Sequence, residues 1–168
     1  MKEGEENRES FKFQKDERLH HRSLVETLFR KGKSFYEFPF RVSWRKLTEE
    51  ELQKNFRNCV PAGIGKLQFM VTVPKKKRRH AVDRVLLRRR IREAYRLNRS
   101  PFKNKVAEDP SIGTLNLAVI YIHDQNLSYK AIEHGMISLL NKLSKKLDPD
   151  NETDSCHKQT SLSSPANK

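Results

Sequence analysis

Apolar and polar residues alternate in two stretches of the chain, and this alternation predicts β-strands. In FRVSWRKL (residues 40–47) apolar and polar side chains alternate from Phe40 to Arg45, which is the period of a strand with one buried face. The segment KLQFMVTV (66–73) repeats the pattern, with Gln68 on the outward, polar side. A more continuous apolar run, LNLAVIYI (115–122), predicts a buried strand. These segments therefore predict a small sheet.

Helical spacing of apolar residues begins in the segment RSLVETLFRKG. Leu24 and Leu28 fall on one helix face, and Ser23 with Glu26 has the S-x-x-E spacing of a capping box. Gly32 stands where a helix C-terminal cap belongs. We therefore expect a short helix that begins at a Ser23 cap and packs through its leucines.

Two longer helices are predicted further along the chain. On a helix over residues 81–99, the side that packs on the sheet consists of Leu87, Ile91, Ala94 and Tyr95. Ser128, a favoured N-cap residue, precedes apolar residues at helical spacing as far as Leu143. Polar residues 48–58 are expected to form a loop or small lobe, and residues 101–113 a turn.

The order of these elements predicts an α+β two-layer sandwich, in which helices pack on a small central sheet. Residues 1–10 and 148–168 are polar and lack apolar periodicity, so we expect disordered tails there. Residues 11–147 then form a single domain.

Positive charge is concentrated in one part of the sequence. The chain has a net charge of +14, and residues 75–99 contain 12 Lys or Arg against two acids, a net charge of +10. Such a concentration favours a polyanionic partner, with nucleic acid ahead of an anionic membrane. No apolar run is long enough to span a bilayer, so no membrane role is expected. Two distant cysteines, Cys59 and Cys156, favour a reducing, cytoplasmic setting and offer no zinc site.

The predicted helix at 81–99 carries a ridge of arginines at a spacing of four residues, formed by Arg84, Arg88, Arg92 and Arg96. Arg89 widens this ridge. Like charges four residues apart oppose helix formation slightly, so the ridge favours a partner that neutralises it. Arginine also suits bidentate phosphate contacts and stacking on bases. Val85 lies at the centre of the ridge, where its apolar side chain has no core to enter.

The segment VPKKKRRHAVDRVLLRRRIREAYR resembles the protein component of bacterial ribonuclease P. That family has a strand ending in V-S-K-K and a helix reading A-V-x-R-N-R-x-K-R-x-x-R-E-A-x-R. The segment FQKDERLHHRSLVETLFRKGKSF resembles the opening of the family as well, with an R-L pair, a short helix ending near Phe29 and then Gly32. The resemblance covers about residues 11–146. Arg84-Val85-Leu86 replaces the R-N-R signature, so its asparagine and second arginine are absent.

The resemblance implies a left-handed βαβ crossover, which is shared with a ribosomal-protein domain. It also implies removal of the 5′ leader of precursor tRNA by a catalytic RNA subunit that binds Mg²⁺, with no catalytic or metal-binding residue on the protein and no obligate protein partner. The residues expected to bind the RNA subunit are Lys75, Lys76, Arg84, Arg88, Arg89, Arg92 and Arg96. Those expected to line a cleft for the single-stranded leader are Val25, Phe29, Arg41 and Ser43. Phe29 has a second interpretation, as a residue of the core beside Leu28.

Three other functions are compatible with parts of the sequence. A protein nuclease could use a His–carboxylate pair, although none in the sequence has a recognised spacing with a second carboxylate cluster for two metals. The candidate pairs are His20 and His21 with Asp16 and Glu17, His80 with Asp83, and His123 with Asp124. A ribosomal or RNA-chaperone protein would be a non-enzymatic RNA-binding module with the same charge. A helix-turn-helix DNA-binding protein fits less well, because strands flank the basic helix and its ridge has few polar base-reading residues.

Overall fold

A computed structural model of the chain describes residues 13–148. The predicted disordered tails at 1–10 and 148–168 lie outside this range, except for Asp148. The elements are α1 (Arg22–Lys31), β1 (Lys33–Glu37), β2 (Phe40–Leu47), α2 (Glu49–Asn55), β3 (Leu67–Thr72), α3 (Ala81–Asn98), α4 (Ser100–Glu108), β4 (Thr114–Tyr121) and α5 (Tyr129–Leu147). None of the helices in this range is both long and apolar enough to cross a membrane.

The strands form one mixed sheet in the order β1-β2-β4-β3. β1 pairs antiparallel with β2, β2 pairs antiparallel with β4, and β3 pairs parallel with β4. A parallel pair needs a long crossover connection, which α3 and α4 supply here. The fold is thus the predicted α+β sandwich with a βαβ crossover.

Helices cover the two faces of the sheet unequally. The larger core joins α3 and α5 to alternate strand residues such as Val42, Trp44 and Leu117. A smaller cluster on the opposite face brings Leu24 and Leu28 of α1 against Leu47 and Ala118. Leu52 of α2 also packs on this cluster. The short helices α1 and α2 leave part of this face open, where Arg41 is exposed.

The structure corrects four local predictions. The first is a missed strand, β1, which pairs along its whole length with β2. The polar segment at 48–58 contains α2, and Thr48 with Glu51 forms a complete capping box there. The turn expected at 101–113 contains α4, with Pro101 in the first helical turn, where its missing N–H costs nothing.

The fourth correction is the helix cap of α1. His21 is the N-cap, and no side chain caps the helix, so the capping box predicted at Ser23 and Glu26 is wrong. The chain leaves an isolated bridge with β3, where Leu19 N–H donates to Phe69 O at 3.1 Å, and the helix starts directly afterwards. Ser23 is therefore already inside the first turn of the helix.

Gln68 is buried, although the strand pattern predicted that it points outward. The segment before α1 covers this part of β3, and the Gln68 Nε2 donates to Asp16 O at 3.5 Å. The alternation along β3 is as predicted, but no local pattern indicates that a non-regular segment covers the polar face at this point.

Candidate nucleic-acid interface

The basic helix α3 has the orientation that its sequence predicted. Leu87, Ile91, Ala94 and Tyr95 are all buried. The Tyr95 ring stacks on Phe69 of β3, with centroids 3.8 Å apart, and burial raises the pKa of the Tyr95 hydroxyl well above its usual value. The opposite side of α3 therefore faces solvent along its length.

The predicted ridge arginines lie on that solvent side. Arg89 and Arg92 are exposed, and Arg84, Arg88 and Arg96 are half-buried. The Arg84 guanidinium donates to Arg78 O at 2.8 Å and to Arg79 O at 2.7 Å, so it bends back over the turn before the helix. The structure thus brings the ridge and the basic turn into one surface.

Arg96 differs from the other ridge arginines because it has an acidic neighbour. Its guanidinium contacts the Glu93 carboxylate at 2.6 Å, which lowers the pKa of Glu93 and raises that of Arg96. Binding to a phosphate would have to compete with this exposed ion pair. Such pairs are worth little in water, so Arg96 remains available for RNA.

The turn at 75–79 is held in place at the end of β3. Lys77 Nζ lies 2.8 Å from an Asp124 carboxylate oxygen, and this contact lowers the pKa of Asp124. Arg78 donates to Asp124 O. Lys75 and Lys76 are exposed, as predicted for RNA-binding residues.

Two arginines of the basic stretch, Arg90 and Arg99, connect parts of the fold. Arg99 is 3% exposed and forms a buried ion pair with Glu17. Arg90 donates to Leu127 O at 2.7 Å and so links α3 to the loop before α5. The count of basic residues in the sequence therefore overstates the charge available to a ligand.

Apolar side chains interrupt the arginine surface at the start of α3. Val85 and Leu86 are each 39% exposed, and Val82 is 78% exposed. The prediction that Val85 has no core to enter is confirmed.

The second candidate surface is the open part of the sheet beside α1. Phe29 is 49% exposed, so its interpretation as a core residue is wrong. Val25 is half-buried against the small cluster that includes Leu24. Arg41 is exposed on the same face of the sheet.

Ser43 does not share this exposure. It is 5% exposed, because its register neighbour Ala118 packs in the cluster that α1 covers. Val25 and Phe29 thus lie on α1, Arg41 is exposed on the sheet face that α1 partly covers, and Ser43 is buried on that face.

Tyr36 lies on the edge strand β1, at the outer margin of this surface, and was not predicted from the sequence. It is 63% exposed and pairs across the strands with Arg41, whose guanidinium lies 5.8 Å from the Tyr36 ring centroid. Phe35 points to the core side and Tyr36 to the other, but two adjacent aromatic residues form no alternating pattern from which this could be predicted.

A cleft of about 370 Å³ opens where α3 passes the outer edge of β3. Its lining residues are Phe13, Arg18, Leu19, His20, Phe69, Met70, Val71 and Arg92. Arg92 thus connects the ridge of α3 with the β3 edge of the sheet, where the segment before α1 pairs with Phe69.

Two adjacent histidines lie beside this cleft. The rings of His20 and His21 lie 4.2 Å apart, and burial together with the charge of His20 lowers the pKa of His21. Across residues 13–148 no three His, Cys, Asp or Glu side chains group together in a way that could hold a metal ion.

Comparison with known proteins agrees with this geometry. A sequence model of the family Ribonuclease P matches residues 13–144. The Ribonuclease P protein component of Porphyromonas gingivalis is 30% identical over 127 residues, which cover 76% of this chain and 82% of that protein.

Solved structures show the same fold. The ribonuclease P protein of Staphylococcus aureus superposes with a TM-score of 0.51 at 19% identity, covering 77% of this chain and 95% of that one. The ribonuclease P protein from Thermotoga maritima gives 0.51 at 22% identity, covering 75% and 96%. Since the family match spans nearly all of the described residues, the chain belongs to the ribonuclease P protein family.

Proposed function

We propose that this protein is the ribonuclease P subunit that binds the catalytic RNA and the 5′ leader of precursor tRNA in the bacterial cytoplasm. Its role is to support endonucleolytic removal of the leader, which yields the mature 5′ end of the tRNA. The exposed arginine ridge on α3, continuous with the turn at 75–79, is the observation that carries the proposal. The family match does not favour the alternative, a ribosomal or RNA-chaperone protein.

In this proposal the RNA subunit docks on α3 and the turn before it. Lys75, Lys76 and the ridge arginines neutralise backbone phosphates, which fixes the position of the protein without reading sequence. Arginine forks can also stack on unpaired bases. The buried stripe of α3 is fully used by the core, so RNA can cover the ridge without disturbing the fold.

The leader occupies the open sheet face beside α1. The exposed Phe29 ring stacks on an unpaired base, while Arg41 lies on the same face and contacts phosphate. Val25 supports the α1 side of this surface. Ser43 is excluded from the proposed contacts because it is buried.

Catalysis is assigned to the RNA subunit, which binds the Mg²⁺ ions. Bound Mg²⁺ would activate water for hydrolysis of the phosphodiester. The protein contributes positive charge where RNA phosphates crowd together, and so reduces the Mg²⁺ concentration that the RNA needs.

Reconstitution with a candidate RNA subunit tests the proposal. We expect precursor tRNA to be cleaved at low Mg²⁺ by the complex and by neither the protein alone nor, at the same Mg²⁺, the RNA alone. Cleavage by the RNA-free protein would refute the assignment of catalysis to RNA, and failure to stimulate any ribonuclease P RNA would favour a different RNA-binding role.

Single substitutions in the ridge refine this test. Arg88→Ala and Arg92→Ala should each weaken binding to the RNA subunit by about 1–2 kcal/mol, as expected for a charge-assisted hydrogen bond to phosphate. Both side chains lie off the buried stripe, so circular dichroism and thermal unfolding should stay as in the wild type. Lys54→Ala on α2 removes one exposed positive charge far along the chain from the ridge and serves as the control.

A further inference from the structure

We propose a second stacking site for single-stranded RNA, formed by Tyr36 and Phe38 at the turn between β1 and β2. It would hold leader nucleotides beyond those bound beside Phe29. This inference rests on the proposed binding of the leader, and it extends the RNA path across the sheet to its far edge.

Two exposed aromatic rings at this turn are the first observation. Tyr36 is 63% exposed and Phe38 is 64% exposed, so two aromatic rings close together in the sequence face solvent. The Arg41 guanidinium lies 5.8 Å from the Tyr36 ring centroid and holds a positive charge over this position. An aromatic face beside a guanidinium suits a base together with its phosphate.

The turn that carries Phe38 is held firmly by its surroundings. Ile122 N–H donates to Pro39 O at 3.1 Å. α5 lies against the back of the turn so closely that a Cβ added to Gly135 would be 2.5 Å from Phe38 O. The Phe38 ring also makes an edge contact with His123, with centroids 5.2 Å apart. The ring is therefore exposed on a fixed support, which lowers the entropic cost of stacking a base on it.

The charge around the turn suits a polyanion such as RNA. Two acids lie nearby, and each contacts a lysine: Glu37 meets Lys142 Nζ at 2.9 Å, and Asp124 meets Lys77 Nζ at 2.8 Å. Asp124 directly follows His123, so the anchored basic turn at 75–79 and the aromatic turn lie at the same end of the sheet. A polyanion could therefore contact both turns, because the carboxylates of Glu37 and Asp124 are each paired with a lysine.

The row of side chains between the two candidate sites gives a continuous path. Tyr36, Arg41, Ile120 and Thr72 are register neighbours across the four strands. Tyr36 and Arg41 are exposed and the other two half-buried, so α1 does not cover this row. A strand of RNA lying beside Phe29 can thus continue along the open row to the turn.

A series of precursor tRNAs with leaders lengthened one nucleotide at a time tests the site in the reconstituted holoenzyme. The double variant Tyr36→Ala/Phe38→Ala removes both rings, and Tyr36→Phe/Phe38→Tyr keeps them as the matched control. With the longer leaders we expect the ring-free variant to bind at least about fivefold more weakly than the wild type, since stacking one base is worth about 1–3 kcal/mol. With the shortest leaders the two proteins should bind alike, and the control should match the wild type throughout.

The length series separates failure of this site from failure of the proposed function. If the holoenzyme cleaves short-leader substrates normally and the ring-free variant binds every leader as the wild type does, the second site is refuted and the proposed function stands. An equal loss at all leader lengths would also overturn the site, because it would place the rings near the body of the tRNA or in folding. If the wild-type complex binds no leader at all, the proposed function itself fails.

Discussion

Replacing Arg99 by Met should lower the free energy of unfolding of the domain and leave its RNA contacts in place. The Glu17 carboxylate is almost fully buried, with 6% of its side chain exposed. It accepts from Arg99, from Lys103 Nζ at 2.7 Å and from Gln14 N–H at 3.1 Å. Arg99 also lies over the Phe13 ring, 5.7 Å from its centroid. Removing Arg99 therefore leaves a buried carboxylate with weaker compensation.

The size of the effect follows from the burial of both partners. Breaking a buried ion pair by removing one partner costs about 3–5 kcal/mol. Lys103 remains and is 44% exposed, so part of the charge stays neutralised and we expect a loss of about 3 kcal/mol. For a domain of this size that corresponds to a fall in Tm of roughly 10 °C.

Chemical denaturation monitored by circular dichroism measures this loss, and Arg92→Met on the exposed ridge is the matched control. The control should keep its free energy of unfolding and lose RNA affinity. Arg99→Met should lose stability but bind RNA as the wild type does, under conditions where it is folded. Adding Glu17→Gln to Arg99→Met removes the buried charge and should recover part of the stability. An Arg99→Met protein with wild-type stability and weaker RNA binding would refute the structural role of Arg99.

Three further predictions concern the RNA-binding surfaces. If the RNA neutralises about six to eight positive charges, a plot of log affinity against log salt concentration should have a slope of roughly −5 to −7. A slope shallower than about −2 would mean that the basic surface faces solvent in the complex. Val85→Asn should keep or slightly improve docking of the RNA subunit in a binding titration, since a half-exposed valine has little to lose and an amide gains a polar partner; a clear loss of affinity would show an apolar contact at Val85. Phe29→Leu should weaken leader binding by about 1–3 kcal/mol while thermal stability holds, and lost stability with normal leader binding would contradict the exposed position of its ring.

The sequence by itself determined the elements whose patterns are long and regular. The stripe of Leu87, Ile91 and Ala94 repeats over several turns, so α3 and its buried side could be predicted nearly to the residue. β2 and α5 were predicted for the same reason, and Ser128 caps α5 as expected by accepting from Ala131 N–H. The motif around Arg88 then indicated the family, because it combines a helix face with a fixed spacing of charges.

Short elements could not be predicted, because their signals are weak and local. An S-x-x-E pattern at Ser23 and a T-x-x-E pattern at Thr48 look equivalent in the sequence, yet only the second is a cap. The difference depends on where the chain leaves its contact with β3 before α1. β1 was missed because its five residues, KSFYE, do not alternate between apolar and polar side chains, and the strand is fixed by pairing with β2.

The tertiary structure alone decided which polar and aromatic groups face a ligand. Arg92 and Arg99 belong to the same basic stretch, but Arg99 turns inward because Glu17, 82 residues earlier, is buried beside it. Ser43 and Arg41 lie two residues apart on one face of β2, and the position of α1 buries the first and exposes the second. Such outcomes depend on contacts between distant segments. A local pattern of residues can assign a side chain to a face, but the elements packed on that face determine whether a ligand can reach it.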